Sequence, residues 1–167
     1  MVEEAPLRTS KHGLVADVRG WFVVNAREAR WRDAGPFGAF CDFEGKKPFL
    51  ELGINISVLR PGDAMARYHR ENAQEDFLVV SGSCVLIVEG EERDLRAWDF
   101  FHSPPGTEHV IVAGDEGAVV VAIGARAAAR EASSISCPRR PRATARASSA
   151  RRRSRRTPTP ACPRGAA

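Results

Sequence analysis

Residues 65–82 read "MARYHRENAQEDFLVVSG", and their pattern indicates the fold more clearly than any other segment of the chain. A polar, charged cluster runs from His69 to Asp76 and leads directly into the apolar run "FLVV" and a Ser-Gly pair. A half-buried strand normally alternates apolar and polar residues. Burying a charged group costs free energy unless it is paired or bound. A histidine and several carboxylates at the start of an apolar strand therefore need a chemical reason.

Short apolar runs separated by Gly- and Pro-containing turns surround this stretch. In residues 49–59, the residues Leu52, Ile54 and Ile56 alternate with Asn55 and Ser57, which is the period of two expected of a strand. Residues 76–88 are predicted to form a hairpin around "SGS", and the pattern continues through "GDEG" at 114–117. This pattern favours an all-β sandwich or small barrel. The predicted strands are 20–24, 49–59, 64–69, 76–80, 84–88, 99–103, 109–113 and 118–125.

Charge divides the 167-residue chain into two unlike parts. Residues 1–124 carry 13 Lys+Arg and 20 Asp+Glu, a net charge of −7, whereas residues 125–167 carry 12 Arg and one Glu, a net charge of +11. The basic pI near 9.2 therefore belongs to the C-terminal part and says nothing about nucleic-acid binding by the remainder. A 43% hydrophobic composition is sufficient for one globular domain.

Residues 126–167 are predicted to form a disordered tail rich in Arg, Ala, Pro and Ser. Ile135 is the only aliphatic residue there larger than Ala, so the segment cannot bury enough apolar area to offset its chain entropy. Its run "RRRSRR" at 151–156 is expected to make at most non-specific contact with nucleic acid. An alternative is that the tail is translated from a shifted frame of a GC-rich gene.

Location and redox state follow from features that the sequence lacks. No apolar run approaches 18 residues, so no membrane association is expected, and the acidic N-terminus shows no signal-peptide core. The four cysteines form no C-x-x-C pair. We therefore expect free thiols and a cytoplasmic protein.

Three residues bracket the predicted strands and carry the chemistry. Because residues two apart on a strand face the same way, Glu75 shares the face of Phe77, and His109 shares the face of Ile111. With His69, these residues supply two imidazoles and one carboxylate, the ligand set of Fe(II) oxygenase sites and many zinc sites.

Each of these residues also has a structural interpretation. His69 is alternatively a surface histidine at a strand end, and Glu75 an ion-pair partner of Arg67 or Arg70. His109 is alternatively a loop histidine held after the "PPGT" turn.

The spacing of these residues resembles the cupin superfamily. Glu75 and Gly82 are separated by the six residues of its first motif, and "PPGTEH" places Gly106 and His109 in register with its second. The chain departs from the motifs in two places: Gly62 stands one residue too far from His69, and Trp98 stands where the second motif begins with Gly. The resemblance covers about residues 49–125.

The resemblance implies a double-stranded β-helix, or jelly-roll, barrel and a divalent metal ion (Fe, Mn, Zn or Ni). The implied metal ligands are His69, Glu75 and His109, with Glu71 at the position of the family's second histidine if the motif is aligned on "HRE". The alternative alignment on "YHR" places Tyr68 and Arg70 there instead. If Glu71 does not bind metal, it is a candidate catalytic base.

These expectations define a metal-binding cupin-domain protein that acts on, or binds, a small-molecule ligand. A dioxygenase or isomerase is one possibility, and a non-catalytic binding or sensing module is the alternative, because fold does not fix function. We expect a homodimer. The predicted organisation is an N-terminal extension packing on the barrel (1–48), the barrel (49–125) and the tail (126–167).

Overall fold

The computed structural model describes residues 1–126, whose regular secondary structure consists of nine β-strands and one short 3-10 helix, Gly35–Phe37. The predicted all-β class is therefore confirmed, whereas the predicted disordered tail lies, except for Arg126, outside the described residues. No helical segment in residues 1–126 has the length and apolar character needed to cross a bilayer. The strands are β1 (Leu7–Ser10), β2 (Gly13–Ala16), β3 (Arg32–Asp33), β4 (Ala39–Cys41), β5 (Leu52–Leu59), β6 (Glu75–Val88), β7 (Glu91–Arg96), β8 (Phe100–Ser103) and β9 (His109–Ala125).

Two long antiparallel strands, β6 and β9, form the centre of the barrel. They pair from Glu75 opposite Gly124 to Val88 opposite His109. The sheet order is β3-β4-β5-β9-β6-β7, with β8 also paired to β6, while β1 and β2 form a separate hairpin. Strands β3 and β4 lie within residues 1–48 and extend the sheet beyond β5.

The predicted hairpin at 76–88 and the predicted break at 114–117 are wrong, because each segment is one continuous bent strand. Gly82 and Gly117 have φ of 77° and 73°, and the ladder register shifts between Val79 and Ser81 and again between Gly82 and Cys84. A Cβ on Gly82 would lie 2.0 Å from the carbonyl oxygen of Gly117. The two glycines therefore let the paired strands bend together. Residues that form a hairpin turn elsewhere form a bend here, because the segments on both sides continue to pair with the neighbouring strand.

Two other predicted strands are also wrong. Residues 20–24 form no strand: Trp21 makes a single bridge to Glu4, and Val23 is 79% exposed. Their apolar and aromatic composition favours a strand, but no ladder partner runs beside them. Residues 64–69 meet β9 only at two isolated bridges, Ala64–Val112 and His69–His109.

Side-chain alternation places the core on one face of the long strands. On β5 the period of two is present, but the inward set includes Ser57 and Leu59, whereas Leu52, Ile54 and Val58 point outward. The main apolar cluster fills the barrel from the Gly82–Gly117 bend towards His109. Its members are Leu59, Phe77, Val79, Cys84, Leu86, Ile111, Ala113, Ala118, Val120 and Ala122.

Candidate metal centre

The predicted metal ligands come together where β6 and β9 begin, at the end of the barrel opposite the Gly82–Gly117 bend. Glu75 is the first residue of β6 and His109 is the first residue of β9. His69 reaches the same place because its backbone N–H donates to the carbonyl of His109 (3.2 Å) and its carbonyl accepts from the N–H of His109 (2.8 Å).

The three side chains converge on one point. One ligand atom from each of His69, Glu75 and His109 lies within 4.8 Å of the other two. The Nε2 of His109 is 3.4 Å from Oε2 of Glu75, and the two imidazole centroids are 5.1 Å apart. His109 is only 2% exposed, while the side chains of His69 and Glu75 are each 23% exposed. The group is thus reachable from solvent on one side only.

Backbone carbonyls orient both imidazoles. The Nδ1–H of His69 is 2.7 Å from the carbonyl of Arg67, and Nδ1–H of His109 is 3.1 Å from the carbonyl of Thr107. The buried hydroxyl of Ser103 is 3.4 Å from the same His109 nitrogen. Carbonyls accept hydrogen bonds and cannot donate them, so each Nδ1 carries the proton and each Nε2 presents its lone pair to the centre.

The arrangement fits a divalent metal ion. Glu75 Oε2 and His109 Nε2 are both buried and have no hydrogen-bond partner among residues 1–126. An unpartnered buried polar atom costs about 1–3 kcal/mol, so two that face each other indicate a site for a shared cation. Ligand atoms bound to one Zn²⁺ or Fe²⁺ ion about 2.1 Å away lie ~3.0–3.5 Å from one another, which the Glu75–His109 pair already satisfies.

Charge around His109 affects its protonation. Burial alone would lower the pKa of this imidazole, but the neighbouring Glu75 carboxylate and the Thr107 carbonyl together raise it above its ordinary value. A proton and a metal ion therefore compete for Nε2.

Aromatic rings form the apolar wall behind the ligands. Phe77 and Phe101 stack with centroids 5.6 Å apart, and each meets the His109 ring edge-on, at 5.2 Å and 5.5 Å. The rings fix the imidazole and exclude water from its inner side. Sequence reasoning missed Phe101 and Ser103, although their spacing of two in "FFHS" signals a shared face.

Glu71 lies beside the group rather than within it. Its Oε1 is 3.7 Å from Nε2 of His69, and its side chain is 53% exposed. Tyr68, the competing residue of the "YHR" alignment, places its hydroxyl at the β6–β7 turn, where it accepts a hydrogen bond from Gly90. Neither Arg67 nor Arg70 forms an ion pair with Glu75 in the described part of the chain.

Two further residues singled out in the sequence lie away from the centre. His102 points to the other face of the sheet, where Nδ1 is 2.6 Å from Asp76. Trp98, at the position of a motif glycine, has a φ of 75° and is 77% exposed. The family's glycine thus corresponds to a left-handed backbone position that this chain occupies with tryptophan.

Comparison with known proteins agrees with this fold. The family model for the cupin domain matches residues 55–124. KdgF from Halomonas sp. has a similar structure, with a TM-score of 0.55 and 24% identity over 64% of this chain and 94% of that one. An RmlC-like cupin from Shewanella frigidimarina gives a TM-score of 0.54 and 20% identity over 64% and 91%. Residues 55–124 therefore form a cupin domain, and these structural similarities show the fold alone.

A curated relative carries a functional name. Dimethylsulfoniopropionate lyase DddW from Ruegeria pomeroyi is 27% identical over 115 residues, which are 69% of this chain. The matched region spans 63% of that relative's length.

Proposed function

We propose that this cupin is a metal-dependent enzyme that removes a proton from a small oxygenated substrate, as isomerases and lyases do. The observation that carries the proposal is the pair of buried, unpartnered atoms, Glu75 Oε2 and His109 Nε2, facing one another beside His69. Such a pair is costly in an empty pocket and is stabilised by a shared cation.

Each residue of the centre has a role in this scheme. His69, Glu75 and His109 hold the ion, which when bound acts as a Lewis acid on a substrate oxygen. Glu71, half exposed and 3.7 Å from His69, is the candidate base that accepts a proton from the carbon next to that oxygen. Phe101 keeps water away from the inner side of the site.

The name of the curated relative supports the lyase alternative, and the ligand set also supports a second reaction class. Two imidazoles and one carboxylate are the ligands of non-haem Fe(II) oxygenases, so a dioxygenase is the competing proposal. Oxygen consumption with Fe²⁺ distinguishes it from proton abstraction, which needs no O₂.

The experiment loads metal-free protein separately with Mn²⁺, Fe²⁺, Zn²⁺ and Ni²⁺ and follows turnover of dimethylsulfoniopropionate and of short 2-hydroxy acids. Glu71→Gln should keep its metal content and lose turnover by roughly 100-fold or more, because the amide cannot accept the proton. Glu116→Gln, which changes an exposed carboxylate on β9, is the matched control and should behave as wild type.

Two outcomes would contradict the proposal. Undiminished turnover by Glu71→Gln would remove Glu71 as the base. Tight binding of these ligands without turnover for any of the four metals would favour the non-catalytic binding module.

We also propose that the chain forms a homodimer through the outer face of the sheet. Phe100, Leu52 and Val58 are 62%, 46% and 42% exposed there. A contiguous exposed apolar patch of this kind indicates an interaction surface. The outward apolar set comprises Leu52, Ile54, Ile56, Val58, Leu78, Val80, Phe100, Val119, Val121 and Ile123.

A second copy of the chain suits this face better than residues 127–167 do. Those residues contain one aliphatic side chain larger than Ala, Ile135, and so have little to pack against a broad apolar surface. A second copy presents the same complementary face, as a two-fold dimer requires.

Sedimentation of the full chain tests this arrangement. Wild type should be dimeric, Val58→Glu monomeric, and the matched control Val23→Glu, at an exposed valine outside the face, dimeric. A monomeric wild type would contradict the proposal, and so would a chain that dimerises only after removal of residues 127–167.

A further inference from the structure

An arginine side chain lies at the open end of the barrel, on the same inner face as the candidate metal centre. Gly53 on β5 is paired with Gly124 on β9, which is paired in turn with Glu75 on β6. Alternation along β9 turns Gly124 to the inner face with the buried Ala122, and Arg126, directly after the strand, continues this alternation. A Cβ built on Gly53 would meet the guanidinium of Arg126, with Nη2 at 3.4 Å and Nε at 3.7 Å.

The two glycines leave the space between this arginine and the metal ligands open. A Cβ on Gly124 would approach Oε1 of Glu75 to 3.7 Å, and a Cβ on Gly53 would approach Arg126. Adjacent strands are ~4.8 Å apart, so Gly53 and Glu75, two strands apart, are separated by roughly 10 Å. The surface formed by Gly53 and Gly124 thus has the Arg126 guanidinium at one end and the candidate metal ligands at the other.

Arg126 is held in place by groups other than the metal ligands. Its Nη2 forms an ion pair with Oε1 of Glu44, whose side chain is 11% exposed, and its backbone N–H donates to the carbonyl of Glu51. Glu44 also accepts a hydrogen bond from the N–H of Phe49. The Arg126 side chain is 40% exposed, and within residues 1–126 its Nη2 is the guanidinium nitrogen that pairs with a carboxylate. Nη2 has two N–H groups and Glu44 accepts from one of them, so the other can still form a fork with Nε–H or with Nη1–H and bind a ligand.

We propose that Arg126 binds a carboxylate of the substrate, whose other, oxygen-bearing end reaches His69, Glu75 and His109. A guanidinium fork matches a planar carboxylate with two parallel hydrogen bonds, which fix the direction of a short ligand as well as its charge. The substrate class is then a small acid with a second oxygen function about one to two strand spacings away. This inference rests on the proposed metal-dependent function.

The test compares two acids that differ at one end. L-Malate and 2-hydroxybutyrate share a metal-binding 2-hydroxy acid group, and malate carries a carboxylate where 2-hydroxybutyrate has a methyl group. Calorimetric titration of Zn²⁺-loaded full-length protein should show malate binding roughly 10–100-fold tighter. Arg126→Gln should abolish this preference without changing Zn²⁺ affinity.

Three further measurements make the result specific. Arg60→Gln is the matched control, because Arg60 is also an exposed arginine paired with a carboxylate, Asp63, and should keep the preference. Glu44→Gln removes the ion-pair partner but retains the cation, so it should also keep the preference. 3-Phosphoglycerate compared with glycerate tests for a phosphate instead of a carboxylate, and a larger gain from that phosphate would overturn the carboxylate assignment.

Failure of the proposed metal-dependent function and failure of the Arg126 assignment give different results. A wild-type chain that binds no Zn²⁺ contradicts the proposed function and the inference resting on it. A chain that binds Zn²⁺ but shows no malate preference, or an Arg126→Gln variant that retains the preference, overturns the Arg126 assignment alone. If Arg126→Gln and Glu44→Gln lose the same thermal stability and both keep the malate preference, the role of Arg126 is only to form the ion pair with Glu44.

Discussion

The interior of the barrel is built differently at its two ends, although β6 and β9 contribute to both. Around the Gly82–Gly117 bend, which we call the closed end, the inward side chains are apolar: Val79 and Val120 are at most 1% exposed, and Leu59 is 3% exposed. At the open end the inward-facing residues of the same strands are His109, Glu75 and Gly124. Strand alternation sets which residues face inward, and their identity decides whether the interior is filled or reactive.

The two ends also differ in what they contribute to the free energy of folding. Burial of apolar side chains at the closed end stabilises the barrel. When the His109 imidazole is neutral, burial of its Nε2 and of Glu75 Oε2 without a hydrogen bond opposes folding, and a bound cation would offset that cost. Substitutions and a change of pH can separate these two contributions.

The largest effect is expected from a cavity in the apolar core of the barrel. Ile111→Ala should lower the free energy of unfolding by about 2–5 kcal/mol, because it removes a fully buried side chain from a close-packed cluster. Val112→Ala, one residue along and on the opposite face, should cost much less. Urea denaturation measures both, and equal losses would contradict the assignment of inner and outer faces.

Lowering the pH should weaken metal binding at the open end and should not change the protonation of the closed end. Since the pKa of His109 is raised above its ordinary value, a proton occupies Nε2 below that raised pKa and excludes metal. Apparent metal affinity should therefore fall as the pH drops through it, by up to about tenfold per pH unit. Burial raises the pKa of Cys84, at the closed end, to about 11, so this thiol stays protonated throughout.

Metal titrations at several pH values between about 5.5 and 7.5 measure this effect. Affinity that does not change over that range would contradict the proposed competition at His109. His102→Ala is the control, because His102 lies on the outer face with Asp76 and should not alter the pH profile.

The smallest effect concerns Trp98, between the two ends. Its φ of 75° is unfavourable for any residue with a Cβ, and its side chain is 77% exposed. Trp98→Gly should therefore raise stability by about 1 kcal/mol through relief of backbone strain. The control Trp21→Gly, at an exposed tryptophan without positive φ, should not stabilise, and a Trp98→Gly variant less stable than wild type would contradict the strain argument.

The sequence predicts the open end better than the strands that create it. His69, Glu75 and His109 could be identified because residue spacing and strand alternation are local properties. The continuity of β6 and β9 could not, because the Ser-Gly and Gly-Asp-Glu-Gly stretches form either a turn or a bend, and only pairing between distant segments decides which.

Other parts of the site depended on contacts that local patterns do not contain. Arg126 was grouped with the tail by composition, yet its side chain lies over Gly53 and pairs with Glu44. On β5 the apolar set points outward, because Ser57 and Leu59 occupy the inner face. Alternation alone gives the period of two but does not say which side is covered.

The central claim is that the open end of the barrel holds a metal ion through His69, Glu75 and His109. The most direct test is elemental analysis of untagged, full-length protein dialysed against a limiting pool of Mn²⁺, Fe²⁺, Zn²⁺ and Ni²⁺. The account predicts about one ion per chain in wild type and in His102→Ala, and almost none in His69→Ala or His109→Ala, because loss of one of three ligands removes most of the affinity. Full occupancy in either ligand variant, or a metal-free wild type, would contradict it.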